Sequence, residues 1–234
     1  MLTAEEWQVV ALSLRVAVVA VLGCLPFAFA LAWLLARRRF RGLILVDAAV
    51  HLPLVLPPVV TGWLLLLLFG ARGPIGGWLA ALGISVMFRW TGAALAAGVM
   101  ALPLMVRSIR LSLEAIDPRL EAAARTLGAG RWRAFASITL PLALPGILAA
   151  LVLGFARALG EFGATITFVA SIPGETQTLP LAIFAALQVP DGDTEVVRLA
   201  VLSVLLSLGA LVASETLVRR RYVGPGQEAV RNVL

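Results

Sequence analysis

The chain has 234 residues, 61% of them hydrophobic and only 14% charged, with a formal net charge of +6 and a mean hydropathy of +0.99. A soluble domain runs at about 45–50% apolar and about 25% charged, so this composition excludes an ordinary water-soluble fold and calls for lipid around the excess apolar surface. All 19 basic residues are arginine, which excludes a P-loop lysine and a lysine Schiff base, while a single Cys24 and a single His51 exclude an intrachain disulfide, a zinc cluster and a Cys/His nucleophile pair. An all-α membrane domain covering 1–234 is expected, with no bound metal or cofactor and no nucleic-acid partner.

In chain order, the first apolar run covers about 9–36 and ends at Arg37, Arg38, Arg39 and Arg41. Glu5 and Glu6 precede it and it is far longer than a signal-peptide core of about 7–15 residues, so it reads as a retained span with Pro26 as a bend. The second run carries Asp47, His51, Pro53, Pro57 and Pro58 in its first half. A short interfacial helix, a break at the prolines and a crossing at about 55–70 follow from that pattern. Further spans are expected at about 87–106, 138–160 and 196–217. Five crossings place the termini on opposite sides.

The arginines orient the chain. Fourteen of the nineteen fall in the 37–41 cluster, in the 107–137 loop and in the tail at Arg219, Arg220, Arg221 and Arg231. By the positive-inside bias that side is cytoplasmic. Glu5, Glu6, Glu175, Asp191, Asp193 and Glu195 fall on the other side, so the N-terminus is expected outside and the C-terminus inside.

The 107–137 loop carries the clearest local signals. Asp117-Pro118 is an N-cap and first-turn pair, and Gly128 suits the left-handed position that ends a helix. On this helix Leu120, Ala124 and Leu127 share a face and Glu121 is spaced to pair with Arg125. A second short helix with Trp132 and Phe135 leads to Leu140 and Pro141. Two readings stay open: an amphipathic helix on the lipid surface, or a rigid knob whose alanine surface at Ala122, Ala123 and Ala124 admits a partner's backbone.

Between the last two spans, about 161–195, no segment is long enough to cross. Gly160, Gly163, Thr165, Thr167, Ser171, Gly174, Thr176 and Thr178 supply hydroxyl and backbone N–H donors suited to an oxyanion. An external loop is one reading; the other is a pore-lining re-entrant segment, since Phe162 to Ala170 is too apolar for water and broken backbone at depth needs protein or a cavity around it. Arg157, one turn before Glu161, is either its ion-pair partner or an anion attractor. Arg15 can reach the outer headgroups, and Asp47 and His51 are spaced to hydrogen-bond each other. The Pro53, Pro57 and Pro58 cluster is a fixed break, or the hinge of a gate.

The run of Glu121, Ala122, Ala123, Gly128, Ile138, Leu140 and Pro141 resembles the EAA loop of permease subunits of binding-protein-dependent ABC importers, with Glu121 one residue further from Gly128 than the commoner spacing. HLPLVLPPVV from His51, LPLMVRSIRLSLE from Leu102 and GEFGATITFVASIPGETQTLP from Gly160 are similar to the molybdate branch of that family. The resemblance implies an inner-membrane subunit of five helices with a cytoplasmic two-helix coupling loop. It also implies a homodimer, two separate ATPase subunits that use ATP and Mg, and an external molybdate-binding protein. Pro57, Pro58, Gly160, Glu161, Phe162, Gly163, Thr165 and Thr167 are then candidates for the path or gate. Sulfate, thiosulfate and tungstate permeases remain alternatives, as does a stand-alone anion transporter or channel, although the charges crowd toward span ends rather than the midplane. A membrane enzyme lacks a clustered acid, base or metal set.

Overall fold

The computed structural model describes residues 3–190 and 192–222, and Asp191 and Arg231 lie outside them. Helix α1 (Ala4–Arg37) opens with a capping box in which Thr3 and Glu6 satisfy each other's backbone N–H, and it runs unbroken through Pro26. Helices α2 (Leu43–Val55) and α3 (Pro58–Phe69) meet at 116° across Leu56 and Pro57. The predicted proline break is therefore a sharp corner. Twelve residues give α3 a length of about 18 Å, short of a hydrocarbon core of about 30 Å. After the short α4 (Pro74–Ala81), α5 (Trp90–Glu114) continues eight residues past the expected span end at 106. Arg107 and Arg110 point away from the core while Val106, Ile109 and Leu113 are fully buried, so the charges sit on the outer face of one continuous helix.

Next come α6 (Pro118–Thr126) and α7 (Arg131–Ala134). The expected second, separate loop helix is corrected here: α7 passes through a π-helical turn, Phe135–Thr139, directly into α8 (Leu140–Leu159). Pro141 has no N–H to give the preceding turn, and widening that turn lets the chain continue instead of stopping. Two short helices, α9 (Gly163–Val169) and α10 (Leu179–Ala186), fill the interval before α11 (Asp193–Tyr222), which contains the last predicted run.

Among the described residues, three stretches are long and apolar enough to cross a membrane: α1, α5 and the continuous 131–159 helix. The bent α2–α3 pair makes a fourth if counted as one span. Helix α5 is the axis of the bundle, packed between α1 and α8. Close approach rests on small residues: Ala17, Ala28, Ala93, Ala96, Ala101 and Ala150 are fully buried. A Cβ on Gly98 would sit 2.7 Å from the Cys24 sulfur, and one on Gly154 would sit 2.8 Å from Met105. Lipid offers no hydrophobic drive between helices, so such close van der Waals packing is what holds them. Helix α9 rests on α3 and α5, and α10 rests on α11.

Candidate functional site

At the arginine-rich end, α6 stands clear of the bundle. Asp117 Oδ1 accepts from the Arg119 N–H at 2.9 Å, and Gly128 takes φ +88°, as the N-cap and stop signals predict. None of its residues is buried; Ala122 and Ala123 are exposed, and beyond it Leu127 is 89% and Trp132 85% exposed. The expected pairing of Glu121 with Arg125 is not what forms. Glu121 instead turns inward: its Oε1 accepts from the Thr139 hydroxyl and lies 3.7 Å from an Arg37 guanidinium nitrogen. One carboxylate thus ties α6 both to the end of α1 and to the π turn that starts α8. A desolvated partner on another helix competes better for a carboxylate than an exposed arginine on its own helix, where water screens the pair.

Residues that sequence reasoning passed over complete this anchor. The Arg37 guanidinium also lies 5.6 Å over the Trp33 ring, and Trp33 meets Phe135 edge-on at 5.2 Å. Arg37 was visible only as one of a cluster, and nothing local marks Thr139. Ile138 and Leu140 are half-buried beside them and Pro141 is exposed.

On the same end, Asp47 and His51 do hydrogen-bond: His51 Nδ1 lies 2.9 Å from the Asp47 carbonyl and 3.2 Å from its carboxylate. Arg110 of α5 joins them, donating to Asp47 at 3.2 Å and to Glu114 at 2.7 Å. This bridge links the helix before the proline corner to the helix that leads into α6.

At the other end α9 is packed tightly against α3. Gly163 packs on Pro58, and a Cβ on Gly62 would fall 2.6 Å from the Ala164 carbonyl oxygen. Glu161 is 3% exposed, accepts from the Ala164 N–H at 2.8 Å and lies 2.5 Å from Arg157, so the ion-pair reading of Arg157 holds. Thr165 is buried, and the Thr167 hydroxyl donates to the Gly163 carbonyl within α9. Phe162 packs on Phe184 at 5.0 Å between centroids. Pro57, Pro58 and Gly160 are the exposed members of the candidate path set. Past α9, Ala170 takes φ +59°, and the Thr176 hydroxyl holds that turn by donating to the Ala170 carbonyl and accepting from the Ile172 N–H, each at 2.9 Å.

Arg15 lies 3.7 Å over the Trp90 ring. Glu6 pairs with Arg198 at 2.9 Å. Among the described residues no group of three metal-ligating side chains assembles.

This arrangement, an all-helical membrane bundle with an anchored, exposed helix at one end, is that of a transport component. The family described as "Binding-protein-dependent transport system inner membrane component" matches residues 7–222, and the chain belongs to it. It is 57% identical over 222 residues to the molybdenum transport system permease protein ModB of Escherichia coli (strain K12), covering 93% of this chain and 96% of that one. It is 55% identical to ModB of Haemophilus influenzae, covering 95% and 97%. The sulfate transport system permease protein CysT of E. coli (strain K12) is more distant, at 38% over 200 residues, covering 85% and 72%. Among solved structures, a chain of a bacterial alginate ABC transporter in complex with alginate pentasaccharide-bound periplasmic protein superposes with a TM-score of 0.72 at 19% identity, covering 94% of this chain and 81% of that chain. A chain of the inward-facing MetNI methionine ABC transporter superposes with 0.67 at 19%, covering 92% and 94%. These two share the fold.

Proposed function

We propose that the chain is the membrane subunit of an ATP-driven molybdate importer. Two copies form the path, two ATPase subunits bind the exposed α6 surfaces from the cytoplasm, and an external binding protein delivers the oxyanion. The chain crosses five times, with α2–α3 as the second crossing and α11 as the last, so that the N-terminus is outside and the C-terminus inside. ATP and Mg are handled by the partner, since this chain has no lysine for a P-loop.

The observation that carries this reading is the state of Glu121. A helix with no buried residue is held in a fixed direction by one carboxylate that reaches two transmembrane helices. That is how a knob passes a push from a docked protein to the bundle. Ala122, Ala123, Gly128 and Leu127 form the contact surface; Ile138, Leu140 and Pro141 lead the motion into α8. At the other end Pro57, Pro58, Gly160, Glu161, Phe162, Gly163, Thr165 and Thr167 form the gate region, with Glu161 and Thr165 setting its shape from inside. Molybdate is favoured over sulfate by the 57% against 38% identity to the respective E. coli permeases.

The test is ATP hydrolysis by the reconstituted complex with candidate binding proteins. Stimulation by a molybdate-loaded binding protein is the expected result. Stimulation by a sulfate-loaded protein alone would refute the substrate, and hydrolysis indifferent to any binding protein would refute the importer.

A further inference from the structure

A cavity of about 830 Å³ opens between the last turns of α1 and the α6–α7 elbow. Its inner wall is aromatic, built from Phe29, Trp33 and Phe135, and its rim carries Arg38, Arg125 and Arg131. Among the described residues no carboxylate lies within ion-pair distance of those three arginines. Glu121 also lines the cavity, but its charge is met by Arg37. The rim is therefore strongly positive over a greasy floor, and from Phe29 to Arg38 the change takes nine residues of helix and its end, about 13 Å. Trp132, 85% exposed, flanks the mouth and suits the membrane interface, where an indole has an apolar body and a polar edge to satisfy.

We propose that this cavity binds an anionic phospholipid of the same leaflet, its phosphate held by Arg38, Arg125 and Arg131 and its upper acyl chain lying along Phe29 and Trp33. Guanidinium groups suit phosphate oxygens geometrically, and a basic pocket beside transmembrane helices at the surface of a negatively charged leaflet concentrates such headgroups. The bound lipid bridges α1, through Arg38, to the coupling elbow, through Arg125 and Arg131. It supplements the Glu121 anchor and makes the elbow's rigidity depend on the charge of the surrounding membrane. The proposal rests on α1 and α8 crossing the bilayer, which sets the cavity at the membrane surface.

Native mass spectrometry of the complete permease–ATPase complex, released from micelles holding equal phosphatidylglycerol and phosphatidylcholine, reads the bound lipid directly. The expected result is retention of phosphatidylglycerol over phosphatidylcholine, with the preference falling roughly fivefold for each arginine removed in Arg38→Gln and Arg131→Gln. Arg119→Gln, on α6 but outside the cavity, leaves the preference unchanged. Equal retention of the two lipids by the unaltered complex overturns the site, while retention of neither overturns the membrane placement and the site together. Excess inorganic phosphate that abolishes the preference overturns the lipid by assigning the rim to a free anion. A preference that appears only after the ATPase is removed also overturns the proposal, because the cavity is then part of the docking face.

Discussion

The two ends of the bundle hold short helices by different means. At the arginine-rich end α6 buries nothing and is positioned by one carboxylate between Arg37 and Thr139. At the other end α9 buries four of its seven residues and is positioned by backbone contact through Gly62 and Gly163. A charge anchor fixes a direction while leaving the surface free, which suits a docking element. Close glycine packing fixes a distance, which suits a wall. Substitutions at the two ends should therefore fail in different ways.

The largest effect is expected from Gly62→Leu. Its side chain would have to displace the α9 backbone, so the folded protein should lose at least about 3 kcal/mol, seen as failed accumulation or a collapsed melting transition in detergent. Gly128→Ala meets nothing within 4 Å and bears only the positive φ, about 1 kcal/mol. Equal losses at the two glycines would break the contrast between the ends.

Glu121→Ala should cost about 1 kcal/mol in melting, because the pair is partly solvated, yet uncouple transport from ATP hydrolysis severalfold. Glu121→Gln can still accept from Thr139 and should recover part of the coupling. If Glu121→Ala left the ratio of molybdate moved to ATP hydrolysed unchanged, the anchor would have no mechanical role.

Ala170→Gly should stabilise by up to about 1 kcal/mol, since φ +59° suits glycine. A destabilised Ala170→Gly protein would show that the alanine methyl, rather than the backbone, matters at this turn.

Local chemistry was legible in the sequence. Asp117-Pro118 and Gly128 bound α6 as their capping preferences require, and the prolines at 57 and 58 mark the corner between α2 and α3. Arg157 in the last turn of α8 and Glu161 just past its end, four apart, pair as spacing predicts. What escaped was set by packing at long sequence separation. Glu121 had a suitable partner at Arg125, and nothing local revealed that the chain returns Arg37 and Thr139 to it. That the helix continues past Arg107 and Arg110 escaped as well, because composition does not show that they fall on one face of it. The continuous passage from α7 into α8 escaped for the same reason: a π turn ahead of Pro141 leaves no mark in the sequence. Around α9 the hydroxyls were visible as donors, but their use inside the protein, as at Thr167 and Thr176, depended on contacts only the structure supplies.

The most direct measurement is site-specific cross-linking from Leu127→Cys in a Cys24→Ala background, in the complete importer. Leu127 is exposed just past the end of α6, and no other thiol remains in this chain. The account predicts a cross-link to the ATPase subunit that varies with nucleotide, together with protection from a membrane-impermeant thiol reagent added outside the cell. Labelling of Leu127→Cys from outside, or a purified importer in which it never reaches the ATPase, would contradict it.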